Sequence, residues 1–180
     1  MVSWVEFAEA EPSLASDVRS LMCQYGAGLG YLATVRPDGG PRVHPVAPVI
    51  TDEGLFCFVV RSPKQHDLDR DGRYALHAFP PEESDDEAYV SGRANAVTDA
   101  GQRERLSRLM QADPAADWKL FELSIEVAMV VRRGLSSSPS PAPRKVVWRD
   151  PERDGPLATV RPLRQWRRSG PCATAADSVQ

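Results

Sequence analysis

Tyr31-Leu32-Ala33-Thr34-Val35-Arg36-Pro37-Asp38-Gly39-Gly40-Pro41-Arg42-Val43-His44-Pro45-Val46 is the stretch on which the fold turns. Tyr31, Ala33 and Val35 alternate with Leu32, Thr34 and Arg36, the period of two that sends successive side chains to opposite faces of a strand. Pro37-Asp38-Gly39-Gly40 supplies turn chemistry, and a second strand runs from Arg42 to Ile50. Thr51-Asp52-Glu53-Gly54 turns the chain again into the apolar run Leu55 to Val60. The pattern predicts a three-stranded antiparallel meander.

Pro45 and Pro48 interrupt the second of these strands. Each removes a ladder donor and is tolerated only at an edge or at a break in pairing. A barrel built on this strand is therefore expected to be split near it, which leaves backbone groups free to meet a ligand. His44 and Val46 are expected on the face opposite Val43 and Ala47. The alternative is a plain edge strand that uses proline to block aggregation.

Upstream, Pro12, Leu14, Val18, Leu21, Met22 and Tyr25 mark an amphipathic helix that Gly26 and Gly28 stop. Downstream, a short helix covers Lys64 to Arg70, and strands are expected at Arg73 to Phe79 and Ala88 to Val97, with a solvated acidic loop at Glu82 to Glu87 between them. Asp99 and Gln102 have capping-box spacing ahead of a helix whose apolar face holds Leu106, Leu109 and Met110. Phe121 to Val131 alternates most clearly of all, and Arg144 to Arg149 adds a further strand after a Ser/Pro loop at Leu135 to Pro143. Many short antiparallel strands with two substantial helices predict an all-β barrel with helical decoration. Leu-Ala-Thr-Val-Arg-Pro occurs at Leu32 to Pro37 and again at Leu157 to Pro162, but the flanks differ and the unit is too short for a structural repeat. We read residues 1–150 as one domain and 151–180 as a weakly ordered tail anchored by Trp166.

The chain has 180 residues, 42% hydrophobic, with a formal net charge of −3. That is enough for a core without disulfides. The acidic balance argues against nucleic acid as a partner, Arg164, Arg167 and Arg168 notwithstanding. No basic start, long apolar core or membrane-length run is present, so the expectation is a cytoplasmic protein without membrane contact. Cys23, Cys57 and Cys172 are odd in number and far apart, and no zinc or redox spacing joins them to His44, His66 or His77. Cys57 reads as a core residue. No metal site and no catalytic set of nucleophile and base is visible.

Arg61-Ser62-Pro63-Lys64 sits where the apolar strand hands over to the short helix. Ser62 suits an N-cap and Pro63 a first helical position. Free N–H groups beside two cations make a phosphate seat. The alternative is that Lys64 pairs with Asp67 one turn on and that Arg61 is merely solvated.

The stretch from Tyr31 to Val46, followed by Ser62-x-Lys64, Asp67-Leu68 and Arg70-Asp71-Gly72-Arg73-Tyr74-Ala75-Leu76, resembles the pyridoxamine 5'-phosphate oxidase-like family of flavin-binding split barrels over roughly residues 10 to 132. The resemblance implies a six-stranded antiparallel split barrel of the FMN-binding type, forming a homodimer with flavin sites at the subunit interface. It implies that Ser62 and Lys64 hold the flavin phosphate and that Thr34, His44, Pro45 and Val46 line the ring and ribityl chain. The chain departs from the true oxidases at His44, where they carry a phosphate-binding arginine, at Val49 in place of a lysine, and at Pro63 in place of an arginine. Arg61 or Arg42 is the candidate substitute for the lost charge. The C-terminal arginine and histidine motif that holds the pyridoxal substrate is missing, so vitamin B6 oxidation is not expected. The deazaflavin-dependent branch has arginine and asparagine where this chain has His66 and Asp67. The resemblance thus implies hydride transfer through FMN to or from a small molecule. That molecule is expected to stack over the exposed ring face near Tyr89, Trp118 or residues of the partner subunit, among which the sequence does not select. A reductase using the deazaflavin coenzyme F-420 and a non-catalytic flavin or haem binder are the alternatives.

Overall fold

The computed structural model describes residues 1–26, 28–82, 84–113, 116–133 and 143–153. Helices α1 (Trp4–Ala10) and α2 (Pro12–Met22) precede strands β1 (Gly30–Val35), β2 (Pro41–Val46), β3 (Pro48–Ile50) and β4 (Leu55–Val60). Then come α3 (Pro63–Arg70), β5 (Arg73–Ala78), β6 (Glu87–Ala96), α4 (Ala100–Leu109), β7 (Trp118–Arg132) and β8 (Arg144–Arg149). The expected tail beyond Arg153, with Trp166 and the second Leu-Ala-Thr-Val-Arg-Pro, lies outside the described residues, as does the Ser/Pro loop up to residue 142.

The strands form one antiparallel sheet of eight, in the order β2-β1-β5-β6-β7-β4-β3 with β8 added to β7. The all-β barrel class stands, with eight strands rather than six, because the expected Arg42 to Ile50 strand is two and β8 adds to β7. β2 pairs with β1, while β3 pairs with β4. The two ends of the sheet path are therefore consecutive stretches of chain joined at Ala47, and the sheet curls until its edges meet there. The meander is interrupted, since β4 lies between β3 and β7 rather than beside β2. Pro45 and Pro48 flank the break on both sides, where each missing N–H is harmless. Gly28 lets the chain enter β1 directly against β3, for a Cβ there would lie 2.1 Å from the Pro48 carbonyl oxygen.

Inside the curl, Leu32, Leu76, Val90, Leu123, Ile125 and Ala128 pack with Trp4 and Phe7 of α1 and Leu14, Val18 and Met22 of α2. Ser3 and Glu6 form a reciprocal capping box that starts α1, a helix the apolar periodicity does not announce. Tyr25 lies past the end of α2 and is exposed, its hydroxyl donating to the Pro80 carbonyl. A smaller core of Val49, Phe56, Leu106 and Leu120 seats α4 on the outside of β3, β4 and β7. On α4, Leu106 is buried but Leu109 points to solvent. Asp99 accepts from the Gln102 N–H, but the reciprocal bond from the Gln102 side chain to the Asp99 backbone is not made, so only half of the expected capping box forms. The acidic turn is not merely solvated: Asp86 accepts from Arg132 and Arg133, and Glu87 from Arg133.

β6 and β7 pair along their length except at Ser91/Gly92, where the register slips and Glu126 is the extra residue. A Cβ at Gly92 would sit 1.9 Å from the Ser124 carbonyl oxygen. Among the described residues no helix is long and apolar enough to cross a membrane.

Candidate functional site

The β1–β2 hairpin fixes where its side chains point. Thr34 lies opposite Arg42, Leu32 opposite His44 and Gly30 opposite Val46. Directly opposed residues share a face. Thr34, Leu32 and Val46 are buried, so Arg42 and His44 point inward with them. Pro45 and Val43 stand on the outer face, opposite Tyr31 and Ala33. Of the residues expected to line a flavin, Thr34, His44 and Val46 therefore share one side of the sheet and Pro45 the other.

α3 packs against this inner face and carries a buried carboxylate into it. Asp67 Oδ2 accepts from Thr34 Oγ1 at 2.9 Å and from Arg42 Nε at 2.7 Å. Arg70 lies 3.9 Å from the other carboxylate oxygen. Burial pushes the Asp67 carboxyl up, but the Arg42 and Thr34 hydrogen bonds and the neighbouring guanidinium charges outweigh it and hold the group below the usual carboxylate range. The alternative pairing of Lys64 with Asp67 is overturned, because Asp67 is committed to the hairpin. The other acids of this segment are also engaged: Asp69 with Lys119 at 2.7 Å, and Asp71 with Arg73, which holds its carboxyl well below the ordinary range.

At the start of α3, Ser62 has the extended backbone of an N-cap, φ −169° and ψ 166°, and Pro63 follows at the first helical position. The Ser62 hydroxyl, however, donates back to the Val60 carbonyl at 2.8 Å and does not cap the helix. Arg61 is 74% exposed and 3.7 Å from the equally exposed Asp117. Such a pair contributes little. Lys64 makes no ion pair or hydrogen bond with any described residue. Its ammonium is close enough to the Cys57 thiol to pull it down, although burial dominates and pushes that thiol up to about 12. Cys57 is accordingly inert, as a core residue should be.

The structure thus brings Thr34, Arg42 and Asp67 into contact, with Lys64 one helical turn away, and leaves Arg61 outside. His44 contributes a buried Nε2 that has no hydrogen-bond partner among the described residues. Tyr89 and Trp118 do not converge on one place. Tyr89 pairs with Met129, and Trp118 begins the same strand, packed edge-on against Phe58 at 4.9 Å. Asp67 is the residue whose partners sequence reasoning missed, since Lys64 was offered only as the alternative. The signal was present, since the hairpin register puts Thr34 beside Arg42 on a buried face, and a half-buried arginine there favours an acid beside it. No cluster of metal-ligating side chains occurs among the described residues.

The sequence matches the pyridoxamine 5'-phosphate oxidase family over residues 8–153. The chain belongs to that family. Among solved structures, ChuZ of Campylobacter jejuni is similar with a TM-score of 0.57 at 10% identity, covering 75% of this chain and 59% of that one. A heme binding protein from Mycobacterium smegmatis has a TM-score of 0.55 at 16% identity, covering 73% and 57%. A Listeria innocua protein that carries the family's name has a TM-score of 0.53 at 13% identity, covering 68% and 98%. At these identities the likeness is one of fold, and the chain spans under two thirds of the first two proteins. No curated protein matches the chain.

Proposed function

We propose that this protein is a flavin-dependent oxidoreductase that holds FMN with its terminal phosphate at the first turn of α3. The observation that carries the reading is the state of Lys64. A cation at a helix N-terminus, left without a carboxylate because Asp67 is bonded to Thr34 and Arg42, is what a phosphate dianion requires. The donor set fits the group: Lys64 supplies a point charge, and Arg42, bonded to Asp67 one helical turn along α3, supplies a second cation. When bound, the flavin supplies hydride transfer. The chain's own residues bind and orient it. Vitamin B6 is a poor substrate on this reading, because Arg132 and Arg133 are engaged by Asp17, Asp86 and Glu87.

The reading includes a homodimer. Pro45, Tyr31, His77, Tyr89, Met129 and Val147 form one cross-strand row over six strands of the outer face. None of them belongs to either core, and Val43 beside the row is 58% exposed. A second copy covering this face would bury the row and Val43 beside it.

Haem is the second reading, favoured by the unpartnered His44 Nε2, a nitrogen of the kind that ligates haem iron. With Asp67, Asp69 and Asp71 all neutralised, charge no longer counts against the acidic tail of a deazaflavin such as coenzyme F-420. The absorbance spectrum and mass of the chromophore that co-purifies with the protein test the proposal. A flavin spectrum with the mass of FMN, reduced by a nicotinamide donor and reoxidised by an acceptor, is the expected result. A haem Soret band, a deazaflavin mass, or a flavin that never turns over would overturn it.

A further inference from the structure

We propose that Asp67 is a positioning residue that makes Arg42 the second phosphate ligand of the α3 corner, an inference that rests on reading that corner as a phosphate seat. A guanidinium carries its N–H groups in one rigid plane, so fixing one nitrogen fixes the direction of the others. Arg42 is fixed by Nε, at 2.7 Å from Asp67 Oδ2. Its two terminal nitrogens make no bond with any described residue, and they form the fork that grips a phosphate bidentately.

Burial gives the arrangement its direction. The Asp67 side chain is 3% exposed and that of Arg42 28%, so Arg42 keeps an access to solvent that its anchor lacks. Thr34 Oγ1 fixes the same carboxylate oxygen from β1, which leaves Asp67 little freedom to swing. Lys64 and Asp67 are three residues apart on α3 and so lie on one side of the helix. The acid that holds Arg42 therefore sets it on the side of the helix where Lys64 stands. Arg61, the other candidate for the missing family cation, has no such anchor.

The competing account is that Asp67 silences Arg42 by neutralising it. The two differ in sign. FMN and riboflavin affinities are measured for wild type, Lys64→Ala, Arg42→Gln, Asp67→Asn and the Arg42→Gln/Asp67→Asn double variant, and the ratio of the two affinities reports the phosphate contribution. Arg42→Gln is expected to lower the ratio about tenfold, the loss of one charge-assisted contact. Asp67→Asn should lower it about threefold to tenfold, and the double variant should fall within about twofold of Arg42→Gln alone, because Asp67 acts through Arg42. A higher ratio for Asp67→Asn, an unchanged ratio for Arg42→Gln, or a further loss from Asp67→Asn in the Arg42→Gln background overturns the inference. Should Asp67→Asn not fold, Thr34→Val removes one of the two bonds to the same oxygen, and the same direction is expected. If Lys64→Ala lowers the ratio and Arg42→Gln does not, only this inference fails. If neither does, or if wild type binds FMN no better than riboflavin, the phosphate seat itself fails with it.

Discussion

Arg42 on β2 donates from Nε to Asp67 on α3 at 2.7 Å, and this bond ties the helix that begins the candidate site to the strand that borders the split in the barrel. A carboxylate so placed links stability to pH. Its folded pKa is lowered, so its contribution is present above the ordinary aspartate value and is lost as pH falls through the folded pKa. Asp67→Asn should cost about 1 to 3 kcal/mol at pH 7. The gap to wild type should narrow below about pH 4. Urea unfolding at pH 7 and pH 3 measures both; a gap that does not change would mean that the charge of Asp67 is not what holds the hairpin.

Gly92 gives a prediction that rests on backbone alone. With a Cβ 1.9 Å from the Ser124 carbonyl oxygen, Gly92→Ala must push β6 and β7 apart at the bulge. A loss of about 2 kcal/mol or more is expected. Gly101, near the start of α4, has no neighbour closer than 3.4 Å to such a Cβ. There, Gly→Ala should stabilise by about 0.5 kcal/mol. Thermal unfolding of the two variants should therefore shift in opposite directions.

The outer face can be tested without any ligand. Light scattering should give about twice the 19.8 kDa chain mass for wild type. Val43→Glu sets a charge in an exposed position beside this cross-strand row and should yield a folded monomer. A wild-type monomer, or a Val43→Glu dimer as tight as wild type, would remove this face from the interface.

Much of the fold was legible because strand periodicity and proline are strong local signals. Pro45 and Pro48 located the break that the structure places at Ala47, and the alternation from Phe121 to Val131 marked the longest strand. The division of one expected strand between opposite sheet edges was not legible, for pairing partners are set by tertiary closure and not by local pattern. α1 was missed since it is seven residues long and its start is signalled by Ser3 and Glu6 more than by apolar spacing. At the site, Ser62, Lys64, Thr34 and Arg42 were named from sequence, yet the charge balance among them was not. Whether Asp67 faces Lys64 along its own helix or Arg42 across a gap depends on how α3 is docked, and i to i+3 spacing alone favours the wrong partner.

The central claim is that Lys64 seats a flavin phosphate, and the most direct measurement is equilibrium titration of FMN and riboflavin against wild type and Lys64→Ala. Removing a charge-assisted phosphate contact costs about 1.5 to 3 kcal/mol, roughly tenfold to over a hundredfold in affinity. The account predicts that FMN weakens by that factor in Lys64→Ala while riboflavin stays within about twofold. Equal weakening of FMN and riboflavin, or no weakening of either, would contradict it.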